Sequence, residues 1–269
     1  VLEWNNGKGL IFKKTIKLDE KYLFKIKQEI KNNTSSKINL YPYSQITRNK
    51  KPDDVMGFYI LHEGFIGVFD GELKEDDYDD IKDKKIVRNS DNGWLGITDK
   101  YWVTAIVPPK DKNFKSTFLY KDNYRANYIL NSPVTINPKS TSSNEFKLFV
   151  AAKEVETVDG YAESENIEKF DLTIDWGWFY FFTKPLFFIM NYLFELTKNF
   201  GIAIVLVTAA VRLLFFPLAN YSFRSMAKMK VLQPEMTRLK DLHKEDKVKL
   251  QQEMMALYKK EKINPLSGC

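Results

Sequence analysis

The sequence predicts a mixed fold, in which an antiparallel β-sandwich is followed by an interfacial helix, one transmembrane helix and an antiparallel helical hairpin. Three observations predict it. Short segments of alternating apolar and polar residues, separated by turn residues, occupy residues 1–175. The apolar run Gly201–Ala219 comes next, and two amphipathic helical patterns follow it. The chain has 269 residues, enough for one sizeable core and accessory parts.

The β-sandwich is assigned to residues 1–175, with its first strands in the N-terminal third. Tyr22–Lys27 alternates apolar and basic residues, as a half-buried strand does. Phe58–Leu61 and Phe65–Phe69 predict a hairpin, with His62 as a turn residue between them. The other predicted strands are Leu10–Leu18, Tyr101–Val107, Phe114–Tyr120, Tyr124–Leu130 and Phe146–Ala152. Few helical stretches separate them, which is typical of an antiparallel sandwich.

A run of carboxylates lies inside this region, and its members are Glu72, Glu75, Asp76, Asp77, Asp79, Asp80 and Asp83. The run lacks the Asp-x-Asp-x-Asp-Gly order that shapes a calcium loop, so a solvated loop is predicted. His62 and His243 lie in different segments, and Cys269 is the only cysteine. The sequence therefore predicts no metal site, no catalytic nucleophile, no intrachain disulfide and no cofactor.

Residues 176–199 are predicted to form an amphipathic helix in the outer membrane interface. Its polar side chains fall on one narrow stripe, and the rest of its surface is aromatic and aliphatic. The stripe consists of Lys184, Asn191, Glu195 and Lys198. A second membrane span is the alternative, because the segment is long enough, and it would put the β domain and the basic tail on one side.

Residues 200–220 are predicted to cross the membrane, and Arg212 lies near the middle of this apolar segment. Thr208 is the only other polar side chain in Gly201–Ala219. A guanidinium in the bilayer centre costs about 2.5–3.5 kcal/mol on insertion scales. Arg212 can extend toward the cytoplasmic interface, pair with an acid on another helix, or face a wetted cavity. The last alternative makes it a functional residue.

Charge predicts the orientation of the chain. Residues 1–175 contain 27 basic and 28 acidic side chains, whereas residues 221–269 contain 11 and six. The positive-inside rule therefore places residues 1–199 outside and residues 221–269 in the cytoplasm. A nucleic-acid binder would more often carry its basic excess on a folded domain face.

Residues 221–263 are predicted to form a cytoplasmic helical hairpin, with Pro234 kinking its first arm and residues 264–269 starting the next loop. The turn is placed at residues 243–246, with Asp246 as an N-cap. The hairpin contains five methionines, which are Met226, Met229, Met236, Met254 and Met255. Methionines at this spacing pack helices together, or else accept apolar partners of varied sequence.

Several motifs resemble those of the YidC membrane insertases. They are Ile204–Arg212 with Phe216-Pro217-Leu218, Ser225–Pro234, Gln252–Lys259 with Lys262–Cys269, and Asp175-Trp176-Gly177-Trp178 with Lys184–Phe187. The resemblance implies a periplasmic sandwich like that of sugar mutarotases and a multi-pass protein of the bacterial inner membrane. It implies no enzyme activity and no cofactor. This chain lacks the first and last spans of the family and is interpreted as a fragment.

The resemblance also implies a function and its partners. The family inserts and folds membrane proteins, alone or with the Sec translocon, through a hydrophilic groove within the bilayer. Nascent membrane proteins and phospholipid would be the partners, with nucleic acid met only through a translating ribosome. Arg212 and Thr208 would line the groove, and the five methionines would contact substrate. The alternatives are a single-pass receptor with a carbohydrate-sensing β domain and a tethered carbohydrate epimerase.

Overall fold

The computed structural model describes residues 1–53, 61–243 and 246–260. The chain divides into two compact units, Val1–Trp178 and Phe179–Cys269. The first unit is rich in β-strands and the second is helical. The predicted end of the β domain, at residue 175, lies close to this division.

The first unit contains fourteen strands among the described residues. They are Leu2–Asn5 (β1), Leu10–Leu18 (β2), Leu23–Asn32 (β3), Ile38–Leu40 (β4), Tyr43–Arg48 (β5), Gly64–Phe69 (β6), Glu72–Asp77 (β7), Ile86–Ser90 (β8), Gly93–Thr98 (β9), Trp102–Val107 (β10), Phe114–Lys121 (β11), Asn123–Leu130 (β12), Val134–Ile136 (β13) and Thr141–Ala152 (β14). Two helices, Tyr78–Asp83 (α1) and Val155–Ser164 (α2), and a 3-10 turn, Phe170–Thr173, accompany them.

The strands form an antiparallel sandwich, as predicted. The large sheet has the order β1-β2-β3-β14-β10-β9-β6-β7, and the second sheet has the order β5-β12-β11-β8. A two-stranded pair, β13-β4, completes the set. Phe65 and Leu95 of the large sheet pack with Phe118 and Tyr128 of the second sheet in one buried cluster. Sheet-on-sheet packing through alternate side chains is what defines a sandwich.

The other face of the large sheet is also buried. Trp94 and Phe149 contact Phe170 of the 3-10 turn edge-on, with ring centroids 5.5 and 5.4 Å apart. Val158 and Tyr161 of α2 belong to the same buried cluster. With both faces covered, β6 and β9 are buried at every position, so the apolar–polar alternation expected of a half-buried strand is absent there.

Helix α2 was not predicted, although its sequence contains a usable signal. Val155, Val158, Tyr161 and Ala162 recur at helical spacing. Asp159 and Gly160 interrupt the pattern, and α2 is only 10 residues long. Packing against the sheet stabilises α2, because its intrinsic helical propensity is weak.

Two predictions in the β region are wrong. The acidic run forms β7 and α1 rather than a solvated loop, because Tyr78 and Ile81 are buried and anchor α1. The hairpin around His62 is also wrong, because β6 hydrogen-bonds to β7 on one side and to β9 on the other. Residues 58–60 of that predicted hairpin lie outside the described part of the chain.

The second unit contains three described helices, Tyr180–Thr197 (α3), Phe200–Leu242 (α4) and Lys247–Lys260 (α5). Helix α3 lies within the predicted interfacial segment. Helix α4 has 43 residues and continues through Pro217 and Pro234. The predicted transmembrane helix and the first arm of the predicted hairpin are therefore one helix. The predicted helix end at Asn264-Pro265 and the loop over residues 264–269 lie outside the described residues.

Candidate functional site

The start of α4 is fixed by a local cap. Lys198 has a left-handed backbone, with φ of 53°, and ends α3. The side chain of Asn199 accepts a hydrogen bond from the backbone N–H of Ile202 at 3.2 Å. An Asn at this position satisfies one of the free N–H groups of the first helical turn. Two residues therefore join α3 to α4.

The first part of α4 is the candidate membrane span. Among the described residues, α4 is the one helix that is both long and apolar enough to cross a bilayer. Helix α3 has 18 residues but does not meet the same test of composition. The interfacial position of this segment, and the alternative of a second span there, stay predictions.

Arg212 and Thr208 lie on one exposed face of this span. They are four residues apart, so their side chains stand one above the other on the helix. The Thr208 hydroxyl donates to the backbone carbonyl of Ile204 at 2.7 Å, which leaves the oxygen lone pairs available to a further donor. Arg212 is exposed and forms no side-chain ion pair or hydrogen bond with the described residues. Its five N–H donors are therefore open to groups outside this chain.

The side of the helix opposite Arg212 is covered near the start of α4, whereas Leu214 and Leu218 farther along are 75% and 65% exposed. Ala203 is fully buried and Val207 is half-buried, whereas Thr208 and Arg212 are exposed. Ala203 and Arg212 are nine residues apart, which corresponds to about 180° around a helix. Helix α3 packs against α4, and the rings of Phe194 and Phe200 lie 5.5 Å apart at the junction. The face that carries Arg212 therefore points away from the buried side of the helix.

The second part of α4 pairs with α5. The Nε2 atom of His243 lies 3.1 Å from a carboxylate oxygen of Glu253, and the Tyr258 hydroxyl lies 3.9 Å from the sulfur of Met236. Asp246 caps α5 by accepting a hydrogen bond from the Lys249 N–H at 3.0 Å. The predicted N-cap is therefore confirmed.

The five methionines of the predicted client-binding set do not share one surface. Met226 on α4 and Met255 on α5 are exposed, at 40% and 50% of their full area. Met229, Met236 and Met254 are half-buried. Met236 lies on the side of α4 that faces α5, as its contact with Tyr258 shows. Direct contact with a partner is thus open to Met226 and Met255 without any movement of the hairpin.

A separate group of ionisable side chains, partly withdrawn from solvent, lies in the β unit. Burial raises the pKa of Glu75 and lowers the pKa of Lys153. The Lys153 ammonium donates to the Thr98 hydroxyl at 3.1 Å. The backbone N–H of His62 donates to Asp175 at 3.0 Å, and its Nε2 lies 3.0 Å from the Phe65 carbonyl. This network ties the end of the β unit to the sheet, so His62 has a structural role.

No group of three or more His, Cys, Asp or Glu side chains that could hold a metal ion occurs among the described residues. The carboxylates of the acidic run do not form such a group, because they are divided between strand β7 and helix α1. Asp76 pairs with Arg88 at 2.7 Å, and Asp79 pairs with Lys51 at 2.8 Å.

Comparison with known families accounts for nearly the whole chain. The YidC periplasmic domain family matches residues 1–189, and the 60Kd inner membrane protein family matches residues 192–269. The chain belongs to the YidC family. A membrane protein insertase YidC from Pelagibacter ubique is 56% identical over 268 residues, which cover all of this chain and 48% of that relative. The corresponding protein of Brucella suis is 45% identical and is covered to 45%.

The chain therefore spans about half the length of the curated relatives it matches. Membership of the YidC family confirms the resemblance found in the sequence, and it does not favour a single-pass carbohydrate receptor. A galactose mutarotase related enzyme from Lactobacillus acidophilus is 12% identical with a TM-score of 0.40, and the match covers 55% of this chain and 66% of that one. A likeness this distant says nothing about a sugar ligand.

Sequence reasoning found Arg212 but missed the continuity of α4. The signal was present in the spacing of residues, because Thr208, Arg212, Phe216, Ala219, Phe223, Met226 and Lys230 follow one another at intervals of three or four. The change from apolar to charged composition after Ala219 hid this series.

Proposed function

We propose that the longer protein containing this chain inserts and folds membrane proteins in the bacterial inner membrane, and that Arg212 and Thr208 line its substrate groove. The observation that carries the proposal is the exposed guanidinium of Arg212 on the open face of an apolar helix. YidC family membership supports it. The proposed function uses no cofactor and is not enzymatic.

The proposed mechanism is electrostatic. A polar or acidic segment entering the bilayer loses its hydration, which costs several kcal/mol for each unsatisfied group. A hydrated pocket that contains a fixed positive charge replaces part of that hydration. A short client tail can then cross part of the bilayer beside Arg212, while the apolar segment of the client moves laterally into lipid.

The proposed topology follows from charge. The YidC periplasmic domain family covers the β unit, which supports a periplasmic position for residues 1–199. Residues 221–269, with their basic excess, are placed in the cytoplasm. Nascent membrane proteins and phospholipid are the proposed partners. The Sec translocon and the translating ribosome are further proposed partners, which would deliver clients at the cytoplasmic face.

The test is an Arg212→Ala substitution in the full-length protein, reconstituted in vesicles. We expect insertion of clients with acidic translocated tails to fall about tenfold or more, because loss of the pocket charge raises the transfer cost by at least about 1.4 kcal/mol. Arg212→Lys should retain more insertion, because it keeps the charge and loses only the planar guanidinium.

The matched control is Arg224→Ala, because Arg224 is an exposed arginine on the same helix outside the apolar run. It should insert clients at close to the wild-type level. Wild-type insertion of acidic-tailed clients by the Arg212→Ala protein would contradict the proposed role of Arg212.

A further inference from the structure

We infer that one end of the β unit carries a lipid-binding surface, which holds this unit on the phospholipid headgroups at the outer face of the inner membrane. The surface, here called the exit-end turns, consists of Lys21 and Tyr22 in the β2–β3 turn, and of Lys100, Tyr101 and Trp102 where β9 turns into β10. The inference rests on the proposed periplasmic position of the β unit. It goes beyond that position because it assigns the side chains that contact lipid.

The two turns lie side by side at the same end of the large sheet. The backbone N–H of Val150 donates to the Tyr22 carbonyl at 3.4 Å, and that of Lys153 donates to the Tyr101 carbonyl at 2.9 Å. Val150 is in the last part of β14, and Lys153 directly follows this strand. Three residues of extended chain span about 10 Å. Both turns are therefore held by one strand end and form one surface.

The chain leaves the β unit beside these turns. The Lys100 N–H donates to the Glu63 carboxylate at 3.1 Å, and the neighbouring His62 N–H donates to Asp175 at 3.0 Å. Only residues 176–179 separate Asp175 from the start of α3, and this length of chain reaches at most about 18 Å. With α3 in the outer interface, as predicted, the exit-end turns lie within reach of lipid headgroups.

The side chains of the exit-end turns suit a membrane interface. Tyr22, Tyr101 and Trp102 are 60%, 64% and 62% exposed. Tyr and Trp are enriched at the headgroup level, because each combines an apolar ring with a polar O–H or N–H. Lys21 and Lys100 are exposed beside them, and the Lys100 ammonium lies 5.1 Å from the centroid of the Tyr101 ring. Such lysines attract the phosphate groups of lipids.

Most carboxylates of the two turns are engaged within the β unit. Asp19 accepts a hydrogen bond from the Tyr161 hydroxyl at 2.7 Å, and Asp99 forms an ion pair with Arg48. Glu20 has no such side-chain partner among the described residues. The surface therefore combines aromatic rings with two ammonium groups and one unpaired carboxylate, which leaves it weakly basic.

The backbone of Tyr22 is a second indication that its ring has a role. Its φ is 68°, a left-handed conformation that Gly and Asn adopt readily and that is unfavourable for a bulky residue. Because the side chain is mostly exposed, packing within the β unit does not offset this cost. Unfavourable backbone conformations concentrate at functional sites, and contact with lipid supplies a function for this ring.

Exposed apolar side chains at the opposite end of the sheet have a different setting. Leu2 and Trp4 are each 63% exposed, and with Tyr41 they line a groove of about 500 Å³. A groove suits a ligand or a chain segment, whereas a bilayer surface contacts side chains that protrude. The β1–β2 and β6–β7 turns at that end consist of Asn, Gly, Lys and Asp. The protruding aromatic residues of the exit-end turns are therefore specific to the end where the chain leaves the β unit.

Photo-crosslinking to lipid tests the inference in the full-length protein, reconstituted in vesicles of phosphatidylethanolamine and phosphatidylglycerol. A photoreactive aromatic amino acid is placed singly at Tyr22, Tyr101 or Trp102. The controls are Trp4, which is as exposed as Trp102, and Lys112, which is exposed in the loop at the other end of β10. We expect lipid adducts from the three exit-end positions to be several-fold more abundant than those from the two controls.

A substitution experiment uses the same readout. Tyr22→Asn combined with Tyr101→Ser should lower lipid adducts from position 102 several-fold, because two of the three rings are removed. Asn retains the left-handed backbone at position 22, so the turn is preserved. Trp4→Ser is the matched control and should leave the adducts unchanged.

Equal lipid adducts from Trp4 and Lys112 would overturn the inference, because exposure alone would then explain the contact. Adducts from the exit-end turns only to protein would also overturn it, since the surface would then be a protein interface. Client insertion is measured in the same vesicles. Insertion without lipid adducts removes this inference and leaves the proposed function standing, whereas lipid adducts without insertion do the reverse.

Discussion

Two arginines in this chain show opposite environments for the same cation. Arg88 forms a two-point ion pair with Asp76, at 2.7 and 2.9 Å, and its guanidinium lies over the rings of Phe69 and Phe118 at 5.5 and 5.6 Å. Arg212 is exposed on an apolar helix. In the first arrangement the N–H donors of Arg88 are used in the ion pair with Asp76. The second leaves them available, which is what a function in binding requires.

The Arg88 pair should matter for stability because Asp76 is only 9% exposed. Arg88→Met leaves a nearly buried carboxylate without its partner, so we expect the free energy of unfolding of the β unit to fall by about 3 kcal/mol. Hydrogen exchange of the β6 and β8 amides in the full-length protein measures it. Lys74→Met is the control, because the Lys74–Glu72 pair is exposed and should contribute less than about 0.5 kcal/mol.

The double variant with Arg88→Met and Asp76→Leu should recover most of the lost stability, since an apolar pair of similar volume replaces a buried ion pair at little cost. An Arg88→Met protein with unchanged exchange protection would show that the pair is not needed. The acidic run would then behave as the solvated segment that its composition suggested.

At the scale of single elements, regular patterns were predictable and elements held by tertiary contacts were not. The bounds of β2, Leu10–Leu18, were predicted from the sequence. Strand β7 and helix α1 were missed, because their burial depends on the neighbouring strand and on Tyr78 and Ile81 rather than on local composition. The unbroken α4 was missed because prolines and a change of polarity resemble a boundary between two helices.

The residues of the candidate site also differ in how far the sequence predicted them. Arg212 could be identified from the sequence, since a charge inside a long apolar run is visible without coordinates. The greater exposure of Met226 than of Met229 could not, because it depends on packing rather than on composition. Composition showed which residues were chemically suitable, and the fold decided which of them are accessible.

The cap of α5 is an element whose stability can be tested by one substitution. Asp246→Ala removes the acceptor of the Lys249 N–H, and such a loss costs about 1 kcal/mol of helix stability. We expect faster hydrogen exchange in the first turns of α5, with α4 upstream of Ser225 unaffected. Gln252→Ala, at an exposed position within α5, is the control and should not accelerate exchange. Equal exchange in both variants would remove the capping role of Asp246.

At the scale of the whole molecule, the chain consists of two units with different core chemistry. Val1–Trp178 buries aromatic clusters on both faces of its large sheet. The described residues of Phe179–Cys269 include few buried side chains and expose long apolar surfaces, which a bilayer and partner proteins would cover. The proposed insertase chemistry lies entirely in the second unit.

This division predicts that the β unit can be removed from the longer protein without loss of insertion. A deletion of residues 1–174 takes away the whole sandwich and its covering helix, and it keeps the segment from Asp175 onward that leads to α3. Insertion per molecule should stay within about twofold of wild type, because Arg212 and Thr208 are unchanged.

A deletion of residues 1–150 should behave differently in one respect. It cuts β14 near its end and leaves α2 and the 3-10 turn without the sheet that covers them. The buried side chains Val158, Tyr161 and Phe170 then become exposed. Exposed apolar surface promotes aggregation and degradation, so we expect lower protein levels but unchanged insertion per surviving molecule. Quantified immunoblots and vesicle insertion assays separate these two effects. If the 1–174 deletion accumulates normally yet fails to insert clients, then the β unit takes part in insertion and the function does not reside in the helical unit alone.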